Sequence, residues 1–216
     1  MNSELSLKEN IYNGILENIF NHKYRANQIL NEKSLVEEFG CSKSPVREAL
    51  IALCNDNVLR NIPRYGYEVV KLTMDDVKEM LQFRYFIESG ILKLFYTKIT
   101  PNQILKLREI DERCNLSLNR VWDHWECNTE FHLKLISFSN NDYIYDELQR
   151  CMSRLKRAYA QFYWDKWDEN EVPLDTKNHS SIIDRIESRD INGIISALRK
   201  DIDDFAGMQL SVNFGD

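Results

Sequence analysis

A chain of 216 residues, 43% of them hydrophobic, is long enough to bury one large core or two smaller ones. Seven Gly and four Pro are few, which argues against a strand-and-turn architecture and for long helices. The formal net charge of −6 argues against a uniformly basic nucleic-acid binder, but the charge is unevenly spread. Residues 1–72 carry nine Lys+Arg and nine Asp+Glu, so the excess of acid belongs to residues 73–216, and DNA contact in the first part must rest on local basic placement.

In chain order, Ser6 and Glu9 form a capping box for a helix over Leu7–Phe20, with Leu7, Ile11, Ile15 and Ile19 as its apolar stripe. Residues 21–30 read as a loop. Asn31 caps a helix from Glu32 to Phe39 that turns Leu35, Val36 and Phe39 inward. Gly40-Cys41 makes a turn, and Ser42 caps the next helix through its hydroxyl, with Pro45 in the first turn. Val46, Ala49, Leu50 and Leu53 bury one face of that helix; Lys43, Ser44 and Arg47 stay on the open side near its positive end. Two short helices joined by a Gly-containing turn are a helix-turn-helix, whose second helix suits a DNA major groove. The helix ends at Asn57-Val58-Leu59, and Arg60 to Val70 reads as two strands around a turn at Pro63-Arg64-Tyr65-Gly66, a basic wing.

These residues resemble the GntR family of bacterial transcriptional regulators. The match runs over Leu35 to Gly40, Ser42-Lys43-Ser44-Pro45-Val46-Arg47-Glu48-Ala49-Leu50 and Pro63-Arg64-Tyr65-Gly66. The second half resembles the FCD effector domain of the FadR subfamily. Two departures are visible: Lys43 stands where the family usually has Arg, which loses the planar bidentate fork, and Ala26-Asn27 replaces a Pro-Gly turn. The expected DNA contacts are Lys33, Ser42, Lys43, Ser44, Arg47, Arg64, Tyr65 and Gly66.

Thr73 begins a second domain, 73–216, read as an all-α bundle of about six helices: Met74–Thr97, Pro101–Asn119, Val121–Ser137, Asp142–Trp164, Lys177–Glu187 and Ile191–Leu210, with a polar loop over residues 165–176. The fold class is thus mainly α, a winged helix-turn-helix over residues 1–72 followed by a helical effector and dimerisation domain. Cys41, Cys54, Cys114, Cys127 and Cys151 form no C-x-x-C pair and read as small buried hydrophobes. With no signal peptide and no apolar run of spanning length, a reducing cytoplasm and no membrane are expected.

Polar residues interrupt the apolar stripes of the bundle. Asp201 falls in the stripe Ile191, Ile194, Leu198, Asp201, Phe205, Met208; His179 leads into Ile182, Ile183 and Ile186. Trp125, Asn128, His132 and Leu135 share one face, and Arg84 is in line with Val77, Leu81 and Ile91. Burying these groups is unfavourable unless they pair or bind something. Asn128, His132, His179 and Asp201 suit a divalent metal. The resemblance implies the same: metal-binding FCD domains carry Asp at the position of Asn128 and His at those of His132, His179 and Asp201, so two positions are kept and two changed. Zn²⁺, Ni²⁺ or Mn²⁺ fits two His and a carboxylate. Arg84 is the expected partner of a small carboxylate effector, or of Glu88 or Asp201, with Arg154 and Arg157 in the same role.

The expected function is a homodimeric, sequence-specific regulator on a palindromic operator, controlled by a small carboxylate in the bundle. A metal-free dimeric DNA-binding protein is the alternative, and a two-His-one-carboxylate metalloenzyme a distant one. No Glu-x-x-His, Ser-His-Asp or glycine-rich phosphate motif accompanies the histidines, so no enzyme is expected.

Overall fold

A computed structural model describes residues 6–116, 121–163, 178–205 and 207–215. The architecture is mainly α: a winged helix-turn-helix followed by a helical domain. Two compact units form, Met1–Thr73 with Arg157–Trp164, and Met74–Lys156 with Asp165–Asp216.

The first unit contains α1 (Leu7–Phe20), β1 (Ile29–Leu30), α2 (Glu32–Phe39), α3 (Lys43–Asn55), β2 (Leu59–Ile62) and β3 (Gly66–Val69). The Ser6–Glu9 capping box starts α1, and Asn31 accepts the Lys33 amide at the start of α2. Gly40 ends α2 in the left-handed region at φ 59°, where a Cβ is unfavourable. Ile11 and Ile15 of α1 meet Leu35 of α2 and Val46, Ala49, Leu50 and Leu53 of α3 in one core with Leu59 and Val69. Each fully buried Leu contributes about 1.5–3 kcal/mol. This core holds α3 with its opposite face in solvent.

Two details differ from expectation in this unit, and the expected wing turn forms. Ser42 is the N-cap of α3, yet its hydroxyl accepts no amide there, and Pro45 removes one of the first-turn donors it would have served. Ile29–Leu30 is a strand, not loop: it pairs antiparallel with β3, Leu30 opposite Tyr67, and gives the sheet order β1-β3-β2. Two residues of backbone pairing leave no periodicity to read. The wing turn has a Tyr65 N to Ile62 O bond of 3.0 Å and Arg64 at φ 70°, a type II pattern in which Arg occupies the position that favours Gly or Asn.

The second unit contains α4 (Met74–Phe95), α5 (Pro101–Leu116), α6 (Val121–Ser137), α7 (Asp142–Tyr163, grouped with the first unit from Arg157 on), α8 (His179–Glu187), α9 (Ile191–Asp203), β4 (Asp204–Phe205) and β5 (Met208–Gln209). Helices α8 and α9 pack together, α9 lies on α4, and α5 contacts both α6 and α8. Asp190 caps α9 through the Gly193 amide, and Thr100 caps α5 through Gln103.

Helix α4 ends two residues earlier than expected, in a single 3-10 turn over Tyr96–Lys98. The larger correction is at α9, which stops at Asp203 instead of Leu210. Asp204 takes an extended conformation (ψ 105°), Gly207 turns at φ 75°, and β4 pairs with β5. Met208, assigned to the buried stripe, is exposed. The ends of the helices expected at Asn119 and Trp164, the start expected at Lys177 and the loop 165–176 lie outside the described residues.

Candidate functional site

On the first unit, Ser42, Lys43, Ser44 and Arg47 are all exposed on the solvent face of α3, and Lys33 is exposed on α2. Arg47 is not free: its Nε and Nη2 donate to the two carboxylate oxygens of Glu32, at 3.2 and 3.0 Å. Ser44 Oγ donates to Glu48, and Lys33 Nζ is 4.0 Å from Glu37. Such exposed pairs are weak and exchange readily for phosphate or a base edge. Arg64 and Tyr65 project from the wing tip, with Tyr65 73% exposed. Gly66 has a different reason to be there. A Cβ on it would meet Leu30 O at 2.4 Å, so its identity follows from the approach of β1 to β3.

In the second unit the expected polar residues are buried. His132 and His179 have no exposure, and Asp201, Arg84 and Asn128 almost none. Helices α6, α8 and α9 bring one ligand atom each from His132, His179 and Asp201 to within 4.8 Å of one another. His132 Nε2 is 2.9 Å from Asp201 Oδ2 and His179 Nε2 is 3.7 Å from Asp201 Oδ1. None of His132 Nε2, His179 Nε2 and Asp201 Oδ1 has hydrogen-bond geometry to a neighbour, although the 2.9 Å separation alone would allow a bond. Three buried donor atoms that converge without bonding one another are what a cation needs, and two imidazoles with one carboxylate are a donor set for a borderline transition metal. The residues present therefore fit a divalent metal. Asn128 lies one turn before His132 on the same face of α6, with His124 a further turn back, also buried.

Around these atoms lies a layer that sequence reasoning did not assign. Glu88 of α4 is fully buried, takes Arg84 Nε at 2.9 Å, and lies 2.7 Å from His132 Nδ1. Ion pairing of Glu88 with Arg84 was among the expected alternatives; its second contact, to His132, was not. With Nδ1–H donating to Glu88, the lone pair of His132 is directed from Nε2 towards Asp201. Asp111 of α5 lies 3.6 Å from His179 Nδ1. Phe131 stacks on the His179 ring at 3.8 Å and meets His132 edge-on at 5.4 Å, fixing both rings. The signal available for Glu88 and Asp111 was their position in apolar stripes of α4 and α5.

Charges in this centre support one another. Burial opposes ionisation of Glu88, but Arg84 and His132 outweigh it and hold the carboxyl below its ordinary value. Burial likewise opposes ionisation of Asp201, and His179 and His132 bring it down. Burial alone would lower His132; Glu88, with Asp201, raises it instead. Arg84 keeps a buried Nη2 with no hydrogen bond.

The other two arginines have different surroundings. Arg157 is buried in the first unit, where Nη1 donates to Asn57 O at 3.1 Å, so its guanidinium serves a backbone carbonyl. Burial pushes the Cys151 thiol up to about 12, and the half-buried Arg154 acts on that thiol together with Arg84 and Glu88.

A winged helix-turn-helix followed by a helical bundle defines a class of DNA-binding regulator. Residues 7–69 match the family described as bacterial regulatory proteins, gntR family, and residues 79–204 match the FCD domain. The chain belongs to the GntR family of transcriptional regulators, in the branch with an FCD domain, and these are regulators rather than enzymes. It is 26% identical over 208 residues to the gluconate operon transcriptional repressor of Bacillus licheniformis, covering 93% of this chain and 81% of that protein. It is 28% identical over 141 residues to the HTH-type transcriptional regulator YdhC of Bacillus subtilis (strain 168), a match spanning 64% of this chain and 63% of that protein. The solved structure of E. coli McbR/YncC has the same fold, with a TM-score of 0.73, 20% identity, and coverage of 92% of this chain and 94% of that one. Among the described residues no helix is long and apolar enough to cross a membrane.

Proposed function

We propose that the chain is a homodimeric operator-binding regulator whose affinity for DNA is set by a small carboxylate held at a divalent metal in the second domain. The single observation that carries this is the convergence of His132, His179 and Asp201 in a buried site with no mutual hydrogen-bond geometry. His132 Nε2, His179 Nε2 and Asp201 would hold Zn²⁺, Ni²⁺ or Mn²⁺, with the Asn128 amide oxygen as a fourth ligand. Bound there, the metal supplies open coordination positions for an anionic ligand. Arg84 Nη2, buried and without a hydrogen bond, is the protein donor for that anion. Residues 1–72 would read the operator through Lys33, Lys43, Ser44, Arg47, Arg64 and Tyr65, and residues 73–216 would take the effector and dimerise. A difference in effector affinity between two arrangements of the dimer would then shift operator affinity.

A second reading is favoured by the 2.9 Å contact between His132 and Asp201: a metal-free network of Arg84, Glu88, His132 and Asp201. One experiment separates the two. Elemental analysis of protein purified without chelator or nickel resin should find about one metal per chain, and Asn128→Asp should tighten its binding by adding a carboxylate. No metal, with no rise in melting temperature on adding Zn²⁺, Ni²⁺ or Mn²⁺, would establish the metal-free network.

A further inference from the structure

The outer face of α4 is apolar where a solvated helix should be polar. Phe83, Phe86, Gly90 and Leu94 recur at three- and four-residue spacing and face solvent, Phe86 57% and Leu94 73% exposed, with Ile87 half-buried beside them. At the centre of this stripe stands Gly90. Apart from proline, glycine is the poorest residue for a helix interior. A Cβ at Gly90 would meet nothing within 4 Å, and its helix is continuous from Met74 to Phe95. Among the described residues, nothing in the protomer requires a glycine there.

A second helix crossing at Gly90 does require it, because only a missing side chain lets two backbones approach closely. The flanking residues say which helix. A two-fold axis through Gly90 sets Phe86, four residues before it, against Leu94 of the partner subunit, four residues after it, and the reciprocal pair repeats the contact. Charge agrees with an antiparallel crossing. The first turns of α4, residues 74–79, carry Asp75, Asp76 and Glu79 against Lys78, whereas Lys93 and Lys98 at the other end have no acid among residues 90–98. Antiparallel pairing brings Glu79 within a turn of Lys98 of the partner subunit; parallel pairing would set acid on acid and base on base.

We infer that α4 packs against α4 of a second copy of this chain, antiparallel and crossing at Gly90, an assignment that rests on the homodimer proposed above. A stable interface buries roughly 800 Å² per partner. A few side chains supply part of that area, so α4 forms the apolar core of the contact, with its charged flanks as the rim.

Sedimentation velocity of the full chain over a micromolar concentration series tests this. The wild type should run as a dimer of the 25.6 kDa chain. Leu94→Glu and Gly90→Leu should each raise the dimer dissociation constant roughly tenfold or more with unchanged far-ultraviolet circular dichroism. Glu79→Lys should weaken the dimer, and Glu79→Lys with Lys98→Glu should restore it. A dimeric wild type whose Leu94→Glu and Gly90→Leu forms associate equally well would overturn the α4 interface and leave the homodimer standing. A double charge reversal that fails to restore association would overturn the antiparallel arrangement. A wild type monomeric throughout would overturn the homodimer itself.

Discussion

Replacing Glu88 with Gln removes one charge from the middle of a buried row. Glu88 takes Arg84 Nε at 2.9 Å and faces His132 Nδ1 at 2.7 Å, with no exposure to water. Glutamine keeps the shape but leaves the Arg84 guanidinium uncompensated, a change that costs about 3–5 kcal/mol when one partner of a buried pair is lost. At about 2–4 °C per kcal/mol for a protein of this size, the melting temperature of chelator-treated protein should fall by about 6–20 °C. Replacing both members with apolar residues, Arg84→Met with Glu88→Leu, removes the orphaned charge. It leaves only His132 Nδ1 without an acceptor, at about 1–3 kcal/mol. The double variant should therefore be more stable than Glu88→Gln by about 2 kcal/mol, a difference between the two estimates. Calorimetry and urea unfolding would measure both. A Glu88→Gln protein within about 1 kcal/mol of the wild type, or a double variant no better than the single one, would show that the row is not a coupled unit.

Three further outcomes are expected. Arg47→Ala should weaken binding to a selected operator by about 1–3 kcal/mol in fluorescence anisotropy, while Lys33→Ala should weaken all duplexes alike and reduce the salt slope. Glu38, which takes Lys23 Nζ and Tyr24 OH, both at 2.6 Å, is held below its ordinary pKa, burial opposing and those two partners prevailing. Its stabilisation, about 1 kcal/mol for this partly exposed pair, is present above the ordinary carboxylate value of about 4.3 and lost as pH falls through the depressed one. The stability gap between wild type and Glu38→Gln should accordingly be seen at neutral pH and close near pH 3, and a gap independent of pH would refute the linkage. Gly66→Ala should destabilise the first unit by about 1–3 kcal/mol through its clash with Leu30 O, measurable as faster amide exchange at Leu30; unchanged exchange would separate β1 from the wing.

Local chemistry made much of this legible. The Ser6–Glu9 box, Asn31 and Asp190 announced three helix starts, because a cap and its amide lie within a few residues. Arg84, His132, His179 and Asp201 stood out because each breaks an apolar period, and all four are buried. What was not legible depends on residues far apart in the chain. The contact of Glu88 with His132 spans 44 positions, and β1 exists only through its pairing with β3. At α9, helical spacing through Phe205 and Met208 implied a helix where a hairpin forms, and only Phe205 of the two is buried there.

That hairpin has a consequence for the order in which the second unit is assembled. After β5 the chain runs back so that Phe214, 1% exposed, meets Tyr85 of α4 at 4.6 Å, and Asn213 O takes the Gln82 amide across 131 positions. The first helix of the unit is thus fastened by the strap that follows β5, through contacts about as long in sequence as the unit itself. Loop closure of that length is slow. During synthesis the edge of α4 at Gln82 and Tyr85 stays uncovered until Phe214 has been made, although α6 and α9 already offer partners to its inner face. Substitutions that weaken the strap, such as Phe214→Ala, should therefore reduce the yield of folded chain more than they disturb the folded molecule.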